Sequence, residues 1–94
     1  MNITITTTNI NKDYEVIDTV FAIDSHKEGF LSSADPSKAF QGVNQQLRTL
    51  CKALGGDAII GCQFEYRNAT ADGFIGKKQV IEIFAYGTAV KISN

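Results

Sequence analysis

The chain has 94 residues, of which 44% are hydrophobic and 20% charged. That is one ordinary globular domain over residues 1–94 with a modest core, and it excludes intrinsic disorder and fibrous repeats. Nine basic against ten acidic residues give a net charge of -1, without the basic excess of a nucleic-acid binder. No apolar run approaches the ~18 residues of a membrane span. The first residues, Met1–Asn2–Ile3–Thr4, lack the basic and apolar regions of a secretory signal. The expectation is a cytoplasmic protein with Cys51 and Cys62 reduced, since two cysteines without a Cys-x-x-Cys make no disulfide scaffold.

Taken in chain order, Ile3–Thr8 is short and threonine-rich, as edge strands are. Tyr14–Asp24 alternates, with Val16, Val20 and Ala22 on one face and Ile17, Phe21 and Ile23 on the other. The segment Ser25–Ala34, which carries His26, reads as a loop. A helix follows over Pro36–Leu54, with Phe40, Val43, Leu47, Leu50, Cys51 and Leu54 along one face. Asp35 suits its N-cap, Pro36 the first helical position and Gly55–Gly56 the stop.

The next strand, Asp57–Arg67, places Ala58, Ile60, Cys62, Phe64 and Tyr66 on one apolar face. Asn68–Gly73 is turn chemistry and predicts a hairpin. The last strand, Lys78–Ile92, is apolar on both faces over Val80–Ile81 and Ile83–Tyr86; Glu82 interrupts that run and either faces solvent or, the reading favoured here, finds a Lys or Arg partner. The order is β-β-α-β-β, with the last strand between Tyr14–Asp24 and Asp57–Arg67 and antiparallel to both. The fold class is α+β, one long helix on a mostly antiparallel sheet. One helix covers one sheet face, so the other face needs a partner, which predicts assembly.

The chemistry-bearing residues are sparse. His26, Cys51 and Cys62 are the soft donors, suited to Zn or Cu, yet they lie on different segments without ligand spacing. Cys51 falls on the apolar helical stripe, so His26 and Cys62 are the better candidate ligands, with donors brought together by a symmetric ring. A nucleophilic site from His26 and Asp24 lacks any supporting signature. Gly55–Gly56–Asp57 and Gly76–Lys77–Lys78 lack the spacing of phosphate loops and read as turns.

Thr6–Thr7–Thr8, Tyr14–Glu15–Val16–Ile17, Ala53–Leu54–Gly55–Gly56–Asp57–Ala58–Ile59–Ile60–Gly61 and Ala85–Tyr86–Gly87–Thr88–Ala89–Val90 together resemble the YbjQ-like family of small bacterial and archaeal proteins, catalogued for heavy-metal binding. The resemblance runs from Ile3 to Ile92. It implies a two-layer subunit like that of dodecins and a homopentameric ring, with no established reaction. Two departures stand out. Ser25–Ser37 is shorter than the corresponding segment of many members and lacks arginine. Cys62 stands where relatives usually carry an aliphatic residue, so it inherits no ligand role. The function expected is a non-enzymatic, self-associating binding module for a metal ion or small ligand. A ring without ligand is the alternative, and a cysteine-dependent enzyme comes third. No nucleic acid or membrane partner is expected.

Overall fold

The structure, a computed structural model, describes residues 2–27, 36–73 and 76–93, with the side chains of residues 26, 27, 36, 69, 71–73 and 77–79 outside that description. Four strands and one helix follow the order β1 (Thr4–Ile5), β2 (Tyr14–Lys27), α1 (Pro36–Ala53), β3 (Ala58–Gly73) and β4 (Gly76–Ile92). The sheet order is β1-β3-β4-β2. β4 is antiparallel to both β3 and β2, and β1 runs parallel to β3 at the edge. No helix among the described residues is long and apolar enough to cross a membrane.

Helix α1 ends as its glycines dictate. Gly55, at φ 81°, takes the left-handed position. Gly55 N–H donates to the Lys52 carbonyl at 3.0 Å and Gly56 N–H to that of Cys51 at 2.9 Å. This paired closure satisfies carbonyls that the last turn would otherwise leave bare. The helix begins at Pro36 as expected; the proposed cap, Asp35, lies outside the described residues.

The buried lane of α1 is narrower than the apolar stripe in its sequence. Ala39, Val43, Leu47 and Cys51, spaced four apart, are enclosed against the sheet. Phe40, Leu50 and Leu54 are exposed flanks instead, because a helix lying on a flat sheet buries little beyond one row. Phe40 still meets the Phe64 ring, with centroids 5.3 Å apart.

Two bulges correct the expected strand faces. On β3 the register slips between Ile60 and Gln63, with Gly61 at φ 58°. A left-handed glycine in a strand adds one residue and reverses the alternation after it. Ile59, Cys62 and Phe64 therefore belong to the helix-side core, while Ala58 and Ile60 cluster with Val90, Ile10, Tyr14 and Ile92 on the far face. On β2 the slip between Val16 and Asp18 does the same. Ile17 joins the helix-side core with Val20 and Ala22, and Val16 is exposed.

Element ends also move. β3 runs through the expected turn to Gly73, which pairs with Gly76; cross-strand pairing overrides the turn propensity of Asn68–Gly73. β2 continues to Lys27, so His26 is a strand residue paired with Ile81 and not a loop residue. The first strand shrinks to Thr4–Ile5, although Thr6 and Thr8 still bond to β3 backbone at Ile59, Cys62 and Gly61. A helix of 18 residues spans roughly 27 Å and a strand of 17 about 56 Å. The hairpin thus overshoots the helix, and the subunit extends 56 × 20 × 17 Å.

Candidate functional site

The soft donors of the sequence do not converge within one chain. Cys62 follows the Gly61 bulge and points into the helix-side core, fully enclosed. Burial pushes its thiol pKa up, because a thiolate there would lose its hydration. Cys51, in the last turn of α1, is equally enclosed, and its Sγ–H meets the Ala58 carbonyl at 3.6 Å. Desolvation first, and the nearby Asp57 charge second, raise its pKa. Both are neutral thiols at physiological pH, the opposite of an activated nucleophile.

The register also separates His26 from Cys62. His26 pairs with Ile81, whereas Cys62 lies in the bulge beside Gly87. Those partners are six steps apart on β4, about 20 Å along the strand. The side chain of His26 is outside the described residues. Among the described residues no group of three His, Cys, Asp or Glu side chains stands close enough to hold a metal ion.

The expected partner of Glu82 is present within the chain. Arg67 Nε donates to Glu82 Oε1 at 2.7 Å, and the guanidinium lies 5.7 Å from the Phe84 ring centre. Both strands place these residues on the sheet face away from α1, since Arg67 pairs directly with Glu82. Phe21 pairs with Tyr86 and Ile23 with Phe84 on that same face. Phe21 is 67% exposed, Tyr86 47% and Ile23 43%. Three large apolar side chains on adjacent strands thus form one uncovered patch with an ion pair at its margin. Sequence reasoning found the two-sided apolar character of β4 and a shared face for Phe21 and Ile23; it did not pair them with Tyr86 and Phe84 in one patch.

The family model for YbjQ, described as "putative heavy-metal-binding", matches residues 4–93. The chain belongs to this family. A solved structure of a YbjQ-like relative, a protein of unknown function from Pediococcus pentosaceus ATCC 25745 assigned to the DUF74 family, matches with a TM-score of 0.70 and 28% identity. That match covers 97% of this chain and 98% of that chain. No curated protein matches the sequence significantly. The YbjQ-like family accounts for the fold, and its metal-binding description fits a binding module.

Proposed function

We propose that this YbjQ-like chain is a non-enzymatic, self-associating binding module of the cytoplasm, whose ligand, a metal ion or small molecule, is held between subunits. The observation that carries this reading is the uncovered patch of Phe21, Ile23 and Tyr86 on the sheet face opposite the helix. A face of this kind is costly in water and marks an interaction surface. Five copies, as the resemblance read from the sequence implies, is the assembly proposed.

The donor geometry supports binding between subunits. One chain cannot bring His26 and Cys62 to one ion across about 20 Å, whereas a ring repeats each donor around its axis. An ion at Cys62 also requires its thiol to lose a proton and to be reached from outside the core.

Sedimentation velocity combined with metal analysis of the untagged protein tests both parts. Wild type sediments as a multiple of the 10.2 kDa subunit, Phe21→Ser shifts it toward the single subunit, and bound Zn or Cu falls with assembly. His26→Ala and Cys62→Ser, checked for the same assembly state, then lose affinity. A wild type that sediments as one subunit overturns the assembly. An assembled wild type that takes up no metal leaves a ring without metal, and unchanged affinity in both variants removes these ligands.

A further inference from the structure

The geometry points to a second site: a cleft between the N-terminal segment and α1 that binds a small anion bearing a hydroxyl group. The cleft measures about 580 Å³ and runs along the helix past Gln41, Asn44, Arg48 and Lys52, with Asn2 and Ile3 as its opposite wall. Its volume falls in the range of small-molecule sites, roughly 300–1,000 Å³.

Three observations fix the chemistry. First, Arg48 is held in place. Its Nε donates to the Ile3 carbonyl at 3.0 Å, and the Ile3 side chain is itself buried in the core. That anchor leaves the terminal guanidinium N–H groups unpaired among the described residues, set as a fork for an oxyanion. Second, Lys52 lies one turn further on, also without a carboxylate partner among the described residues, and no acidic side chain lines the cleft. Like charges four residues apart on a helix repel, and an anion between them relieves that repulsion. The same charge pattern turns metal cations away, so this cleft is independent of the metal reading above.

Third, the Asn44 side chain is under-satisfied. Its Oδ1 is shut off from solvent without a hydrogen-bond partner, a loss that folding does not tolerate cheaply. Asn44 lines the cleft and its terminal amide torsion is soft, so a ligand hydroxyl that reaches it can donate to this acceptor. Arg48 and Lys52 take the charge, Asn44 takes the hydroxyl. Hydroxycarboxylates and hydroxylated phosphate esters share that chemistry.

Titration of the full chain, in its native assembly state, with malate, succinate and glycerol 3-phosphate separates the parts. The Arg48 Nε–H and Asn44 side-chain amide signals are followed by nuclear magnetic resonance. Malate or glycerol 3-phosphate should move both signals saturably, and the tighter of the two identifies the anionic group. Succinate, which differs from malate only by the hydroxyl, should bind several-fold more weakly, as loss of one hydrogen bond implies. Lys52→Gln should weaken binding about tenfold, the scale of one charge-assisted bond. Lys52 is exposed and partner-free among the described residues, so this variant keeps the fold even if Arg48→Gln loosens the N-terminal segment. No saturation by either hydroxylated anion up to about 10 mM, or wild-type binding in Lys52→Gln, overturns the site. Equal affinity for malate and succinate overturns the role of Asn44.

Discussion

Leu47 and Leu50 share one apolar stripe in the sequence, and the fold assigns them opposite roles. Leu47 is fully enclosed, in the same cluster as Val43, Cys51, Ile83, Ala85 and Ala89, while Leu50 is 41% exposed. Leu47→Ala removes three carbons from a site whose surroundings include alanines at positions 39, 85 and 89. Alanines have no flexible side chain with which to fill a void, so most of the cavity persists. The expected loss is therefore the upper part of the measured range for buried leucine, about 3–5 kcal/mol. Leu50→Ala gives up only partly buried surface and gains a better helix former, so the single subunit loses less than about 1 kcal/mol. The assay is urea unfolding at several protein concentrations, because the proposed assembly would make apparent stability depend on concentration. Leu47→Ala should lower stability at every concentration; Leu50→Ala should matter only where subunits associate, if at all. A Leu47→Ala loss below about 1 kcal/mol, or equal losses for both variants at high dilution, would refute the packing described for α1.

The remaining predictions concern the bulge, the thiols and the ion pair. Gly87→Ala should cost about 1–3 kcal/mol by overpacking, since its Cβ would lie 2.7 Å from Ile59 Cγ2 and 3.2 Å from both Cys62 Cα and the Ile60 carbonyl oxygen; unchanged thermal stability would mean that β3 does not approach so closely. Cys51 and Cys62 have raised pKa values in the folded chain, so their contribution is complete below the unfolded thiol value of about 8.5 and is lost as pH rises through the folded values. Stability should thus decline above about pH 8.5, and the Cys51→Ala, Cys62→Ala double variant should show a flatter alkaline limb in pH-dependent urea unfolding. The Arg67–Glu82 pair is mostly exposed on its arginine side, so a double-mutant cycle should give no more than about 1 kcal/mol.

What the sequence made legible was wherever local chemistry decides. Pro36 and Gly55–Gly56 mark a helix because a missing N–H and a positive φ are local facts. The place of β4 between β2 and β3 follows from a hairpin closing on a long crossover. The strand faces were illegible at the bulges, because Ala58–Tyr66 alternates smoothly on paper. Only the left-handed Gly61, set against Gly87 on β4, reverses it. The cysteines illustrate the same limit for the site. Their apolar faces already marked both as core side chains, and both are enclosed under α1; that Cys62 reaches the helix side depends on the Gly61 bulge, which the alternation hides. The cleft at Arg48 could not be read from spacing either, since it depends on Ile3 folding back against a helix 45 residues later.

The uncovered sheet face has the anatomy of an interface more than of a frayed core. Its lower end is closed within the chain, where Ile10 and Tyr14 pack on Ala58, Ile60 and Val90. Above that, Phe21 and Tyr86 face each other directly across β2 and β4, and Ile23 and Phe84 form the next pair. Aromatic pairs at the centre of a patch are where association energy concentrates. Arg67 and Glu82, farther along the same face, supply a paired polar margin beside Phe84, and a polar rim around an apolar centre is the usual interface arrangement. The rim pair is already neutralised within the chain, so a second copy can approach without stranding a charge. Removing Phe21 should therefore weaken association far more than removing Arg67. If Arg67→Ala dissociates the assembly as fully as Phe21→Ser does in sedimentation, the contact is electrostatic and lies elsewhere on the sheet.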